Sequence, residues 1–132
     1  MSIAITPLYA GAIAILMAVL ATLTSITRGK TQVALGDDGN SQMALSIRRF
    51  GNLSEYAAMA LVVLLLMELS GIPPFWLHTY GIALIALRLL HPFILFDSMD
   101  APGIMKFGRF VAGAGTAMLL LVAGVLLVLN QM

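Results

Sequence analysis

Apolar runs long enough to cross a lipid bilayer take up almost the whole of this 132-residue chain. Crossing about 30 Å of hydrocarbon as an α-helix needs roughly 20 apolar residues. Four segments meet that requirement, residues 4–27, 42–70, 75–96 and 104–130. No water is available at that depth to satisfy backbone N–H and C=O groups, so continuous runs of this length have to be helical. Composition agrees: 61% of residues are hydrophobic and 10% charged, whereas a water-soluble domain carries about 25% charge. The expected fold class is therefore all-α, an integral membrane four-helix bundle forming one domain over residues 1–132. The first run has no positively charged stretch before it and is too long for the apolar part of a secretory signal, so it reads as a retained span.

Punctuation between the runs places the loops. Gly36, Asp37, Asp38 and Gly39 supply turn chemistry between the first two spans, and Asn40 or Ser41 is placed to cap the second helix. Gly71, Pro73 and Pro74 break the second span from the third, and Phe75, Trp76 and Tyr80 fit an aromatic belt at a membrane face. Pro92 predicts a kink late in the third span. Small residues at four-residue spacing predict close helix packing: Ala10, Ala14, Ala18 and Thr22 in the first span, Gly108, Ala112 and Thr116 in the fourth. Arg28, Lys30, Arg48, Arg49, Lys106 and Arg109 flank the first and third loops, while the second loop and both termini carry no Lys or Arg. The positive-inside bias then predicts periplasmic termini and two cytoplasmic loops.

Against this apolar background one face of the second span is polar. Arg48, Asn52 and Glu55 fall at i, i+4 and i+7, which brings them onto one side of a helix. Charged side chains at membrane depth cost roughly 2.5–3.5 kcal/mol each unless they face protein, water or ligand. Arg88 and His91 in the third span and Arg109 at the start of the fourth are predicted at a similar depth, so polar groups from three helices converge toward the cytoplasmic side. Such a cradle suits a small zwitterion with excess negative charge. Arg48 can clamp a carboxylate, Glu55 can accept from an ammonium group, and Asn52 can donate and accept together. Arg109 adds its charge to the positive end of a helix dipole, a place where a bound thiol ionises more readily.

Each residue also has a plainer reading. Arg48, Arg49 and Arg109 can reach for head groups, Asn52 and Glu55 can hold helices together, and His91 can serve packing alone. His78 and Glu68 read as interfacial and solvated near the opposite membrane face. The nine Met residues read as lipid-facing or packing groups. No metal site is expected, because Asp97 and Asp100 lack partners and the chain has no cysteine. The same absence means that any sulfur nucleophile must come from a substrate. No basic run points to nucleic acid.

The run Arg48-Arg-Phe-Gly-Asn52-Leu-Ser-Glu55-Tyr56 resembles the signature of the MAPEG family, the membrane-associated proteins of eicosanoid and glutathione metabolism. Val33-Ala-Leu-Gly-Asp-Asp-Gly-Asn-Ser, Arg88-Leu-Leu-His91, and Arg109 with Gly113 and Thr116 are similar to the bacterial branch of that family. The resemblance covers nearly the whole chain and implies a homotrimer with glutathione bound between subunits as co-substrate. Carried over by position, it implies that Arg28, Arg48, Asn52, Glu55, Tyr56, Arg88 and His91 contact glutathione, and that Arg109, with Lys106 as its rival, stabilises the thiolate. His91 stands where several relatives carry a ligand-contacting Tyr, Leu95 stands where some carry a second Tyr, and Pro92 directly after His91 is a further departure. The implied activity is a membrane-bound glutathione-dependent transferase or peroxidase acting on hydrophobic electrophiles or lipid peroxides in a bacterial inner membrane. The alternative is a non-catalytic lipid-binding or scaffolding protein. A small multidrug transporter fits less well, since such proteins carry a Glu in the first span and this chain has none there.

Overall fold

The computed structural model describes residues 3–95 and 102–130. It contains four helices, α1 (Thr6–Thr31), α2 (Ser41–Leu69), α3 (Pro74–Ile94) and α4 (Gly103–Asn130). Each is long and apolar enough to cross a membrane, and together they form an all-helical membrane bundle. α1 packs chiefly on α2 and α4 chiefly on α3; α2 also touches α3 and α4, and α1 touches α3. α1 and α4 do not meet.

The helix ends follow from local chemistry. α1 continues one turn beyond the expected Thr27 and stops where Gln32 turns left-handed, with φ at 57°. Gly36 and Gly39 carry the connecting loop through positive φ, a region that costs glycine nothing. Asn40 caps α2, its Oδ1 accepting from the Met43 amide at 2.9 Å. α3 begins at Pro74, where a missing N–H costs nothing in the first turn. Pro92 lies in the last turn of α3, which ends two residues later at Ile94. The loop containing Asp97 and Asp100 lies outside the described residues.

The core is built from one stripe per helix. α2 contributes Leu53, Ala57, Ala60, Leu64 and Met67, α1 contributes Tyr9, Ile13 and Leu20, and α3 contributes Leu77, Tyr80 and Leu84. Their three- and four-residue spacing is the signature of a single buried helical face. The buried residues of α4 are Ala112, Thr116 and Ala123. The α4 small-residue stripe does pack within the chain: a Cβ at Gly108 would meet Ile94 of α3 at 3.4 Å. The α1 stripe does not. Ala14, Ala18 and Thr22 are exposed and point away from the helices that cover Tyr9 and Ile13.

Candidate functional site

Because Leu53, Ala57, Ala60 and Leu64 turn one face of α2 inward, the same helical period turns Arg48, Asn52 and Glu55 outward. Arg48 Nη1 donates to Glu55 Oε1 at 3.1 Å, two turns along the helix. Their side chains remain 59% and 51% exposed. Asn52 lies between them, and its side-chain amide donates no hydrogen bond among the described residues. The same face continues toward the other end of α2 as Met59, Val62 and Leu66, all exposed. α2 therefore carries one unpartnered face along its length, polar in the first half and apolar in the second.

Behind this face lies Arg88 of α3, only 2% exposed. Its Nη1 donates to the Asn52 carbonyl at 3.3 Å, and its Nη2 donates to the Ala112 carbonyl at 2.8 Å and to the Thr116 hydroxyl. One guanidinium thus joins α2, α3 and α4, a task its rigid fork of five donors suits. The Tyr56 ring faces it, 5.4 Å from the guanidinium carbon to the ring centroid, a cation–π distance. Nε of Arg88 is buried without a partner among the described residues. His91, one turn on, is also buried, and the guanidiniums of Arg88, Arg109 and Arg48 all lie within electrostatic reach of its ring. Arg109 and Lys106 are both exposed on the first turns of α4.

Other predicted residues are engaged elsewhere. Arg28 folds back on the loop that follows its own helix, with Nη1 donating to the Val33 carbonyl at 2.9 Å and to the Gly36 carbonyl at 3.3 Å. Nothing among the described residues bonds it to the α2 cluster. Arg49 does not simply reach for head groups, because its Nη2 donates to the Leu95 carbonyl at 3.2 Å and ties α2 to the end of α3. Leu95 itself is buried. Among the described residues no group of three or more His, Asp or Glu side chains is placed to hold a metal ion.

Sequence reasoning also missed the polar contacts of Glu68 and His78. Glu68, read as solvated, accepts from the amides of Ala4, Ile5 and Thr6 at 2.7–2.8 Å. It caps the start of α1, which has neither a side-chain cap nor an acidic residue in its first turn. That missing cap was the available signal, since the first amides of a helix must find acceptors somewhere. His78, read as interfacial, accepts or donates at Nδ1 to the Tyr9 hydroxyl at 2.8 Å and links α3 to α1.

Comparison with known proteins places these features. Residues 6–129 match the family model described as the MAPEG family. The inner membrane protein YecN of Escherichia coli (strain K12) and the inner membrane protein YecN of Escherichia coli O6:H1 are each 42% identical to this chain over 64 residues. Those residues are 48% of this chain and 49% of either relative, so the likeness spans about half the length of the curated relatives it matches. No solved structure matches the chain. Since the family match extends over nearly all of the sequence, the chain belongs to the MAPEG family.

Proposed function

We propose that this MAPEG-family chain is a single-domain integral protein of a bacterial inner membrane, assembled as a homotrimer, that binds glutathione or a similar thiol and uses it against hydrophobic electrophiles or lipid peroxides dissolved in the bilayer. The outer face of α2 carries this reading. Arg48 and Glu55 stand exposed, with Asn52 half-buried between them, on a helix whose composition suits hydrocarbon. An exposed ion pair is worth about 0–1 kcal/mol in water, far less than the cost of leaving both charges in lipid. A neighbouring copy with a polar ligand between the two removes that cost. The Escherichia coli relatives are named as inner membrane proteins, which supports an inner-membrane location, and the Lys/Arg distribution favours periplasmic termini with the site toward the cytoplasm.

In this reading Arg48 clamps a carboxylate of the peptide, Glu55 accepts from its ammonium group, Asn52 pairs with its amide groups, and Tyr56, steadied by Arg88, flanks it. Arg28, also implied by family resemblance, would join only by leaving its loop carbonyls. Arg109, at the positive end of α4, holds the sulfur as thiolate near His91. Lowering a thiol pKa by one to two units corresponds to about 1.4–2.7 kcal/mol of anion stabilisation. The thiolate then forms a C–S bond to an electrophilic carbon as the leaving group departs with its electron pair. With a peroxide, two thiols are oxidised to one disulfide while the O–O bond is reduced to an alcohol and water. The nucleophile must come from the substrate, as the chain has no cysteine.

The test is conjugation of a chlorodinitrobenzene by the purified protein with glutathione, followed together with the thermal shift glutathione produces. Turnover is expected, Arg109→Ala lowering kcat about 100-fold as for loss of one anion-stabilising donor, and Arg48→Ala acting mainly on KM. Absence of both turnover and a glutathione-dependent shift would overturn the enzyme reading. The mutual pairing of Arg48 and Glu55 at 3.1 Å favours one second reading, a non-catalytic lipid-binding or scaffolding protein. In that case Arg109→Ala changes nothing measurable, while Asn52→Leu disrupts assembly.

A further inference from the structure

Thr116 of α4 is fully buried, and the thiol reading gives it no role. It lies one turn after Ala112, and both meet Arg88 of α3. Arg88 Nη2 donates to the Ala112 carbonyl at 2.8 Å and to the Thr116 hydroxyl. A guanidinium carries donors and no acceptor, so the Thr116 oxygen can only accept from it. The hydroxyl proton is then left for the Ala112 carbonyl, 2.9 Å away. The three groups close a triangle in which the direction of every hydrogen bond is fixed. Satisfied polar networks of this kind, buried away from water, rigidify the side chains that join them.

The other end of the same guanidinium reaches α2. Nη1 donates to the Asn52 carbonyl at 3.3 Å, and the Tyr56 ring, one turn further on, lies 5.4 Å from the guanidinium carbon. Tyr56 is half-buried. Among the described residues its hydroxyl makes no hydrogen bond, so its contact with Arg88 is the polar contact that places the ring. Arg88 is 2% exposed, so it can act on a ligand at the α2 face only through Asn52 and Tyr56. Removing the Thr116 hydroxyl leaves Nη2 with the Ala112 carbonyl as its one described acceptor. A planar fork held by one bond in place of two can pivot about it, and its far end moves with it. Simple helix glue makes a different forecast: stability falls, and Tyr56 stays where it is.

We propose that Thr116 is a positioning residue: through Arg88 it sets the place of the Tyr56 ring and of the Asn52 turn of α2, and with them the affinity of that face for its thiol peptide. The effect on affinity rests on the thiol reading, whereas the effect on Tyr56 requires no ligand.

The experiment uses the full-length protein in detergent with fluorotyrosine at its three tyrosines, Tyr9, Tyr56 and Tyr80, and Tyr56→Phe identifies the Tyr56 fluorine signal. Thr116→Val keeps the shape and removes the hydroxyl, and Thr116→Ser keeps the hydroxyl. The Tyr56 signal is expected to shift in Thr116→Val and to hold in Thr116→Ser, with the Tyr9 and Tyr80 signals unmoved in both. Radiolabelled glutathione should bind Thr116→Val about tenfold more weakly, the scale of one hydrogen bond, and bind Thr116→Ser as it binds the unaltered protein. Ile13→Val is the stability control, since Ile13 is buried on α1, which does not touch α4; it should lower the thermal midpoint and change neither readout. Should Thr116→Val fail to fold, Thr116→Ala takes its place. A Tyr56 signal that stays put without the hydroxyl, Thr116→Ser binding as weakly as Thr116→Val, or an equal loss of binding in Ile13→Val overturns the proposal. If the unaltered protein binds no glutathione, the thiol reading fails and takes the affinity claim with it, and the Tyr56 signal decides the positioning claim alone.

Discussion

Arg88 is a cation whose described hydrogen-bond partners are all neutral: two carbonyls and a hydroxyl on two other helices. At membrane depth such a group persists only when its donors are taken up by protein. Replacing it with Met keeps bulk but abandons three bonds, each worth about 0.6–1.7 kcal/mol between membrane helices. Arg88→Met should therefore lower stability by roughly 2–4 kcal/mol, read as earlier unfolding in a denaturant titration in detergent. Arg88→Lys should not restore it, because a point charge cannot span the fork. Glu68 is the other residue whose role is set from far along the chain, its three amide donors being 62 to 64 positions away. Glu68→Ala should cost about 1–2 kcal/mol, the scale of a lost helix cap, and should raise hydrogen exchange at the start of α1 while leaving α4 unchanged. Neither role was legible in the sequence. Spacing along a helix reveals which residues share its own face, as it did for Arg48, Asn52 and Glu55, but not which carbonyls another helix will present to them. Arg28 shows the same limit in reverse: its position near the end of α1 gave no sign that its loop would turn back and take its donors.

At the scale of elements the sequence was far more transparent. Hydropathy marks four helices because a span in hydrocarbon must satisfy its own backbone, and Asn40, Pro73 and Pro74 mark helix starts because caps and prolines act locally. Packing between elements was less transparent. The α1 stripe of small residues is exposed, while the contact that closes α1 on α3 is made by Tyr9 lying over Gly81. A Cβ at position 81 would fall 2.5 Å from the Tyr9 ring, closer than any real contact, so only glycine lets the ring reach His78. Gly81→Ala should displace the ring, break the Tyr9–His78 bond and cost about 1–3 kcal/mol, as overpacking does. Tyr9→Leu in the same chain should recover part of the loss, and a double-mutant cycle on thermal unfolding measures the coupling.

For the whole molecule, the single chain leaves particular surfaces uncovered. α1 and α4 do not touch, and α2 shows a face polar in its first half and apolar in its second. The proposed trimer covers that face, so native mass spectrometry of gently solubilised protein should give three copies, and Asn52→Leu should shift the population toward monomer. The thiol-binding account goes further and claims that the covered polar half holds a ligand. The most direct measurement is a structure of the assembled protein with glutathione added. The account predicts the peptide lying across Arg48, Asn52 and Glu55, with its sulfur nearest Arg109. Glutathione found elsewhere, or Arg48 and Glu55 still paired only with each other while facing lipid, would contradict it.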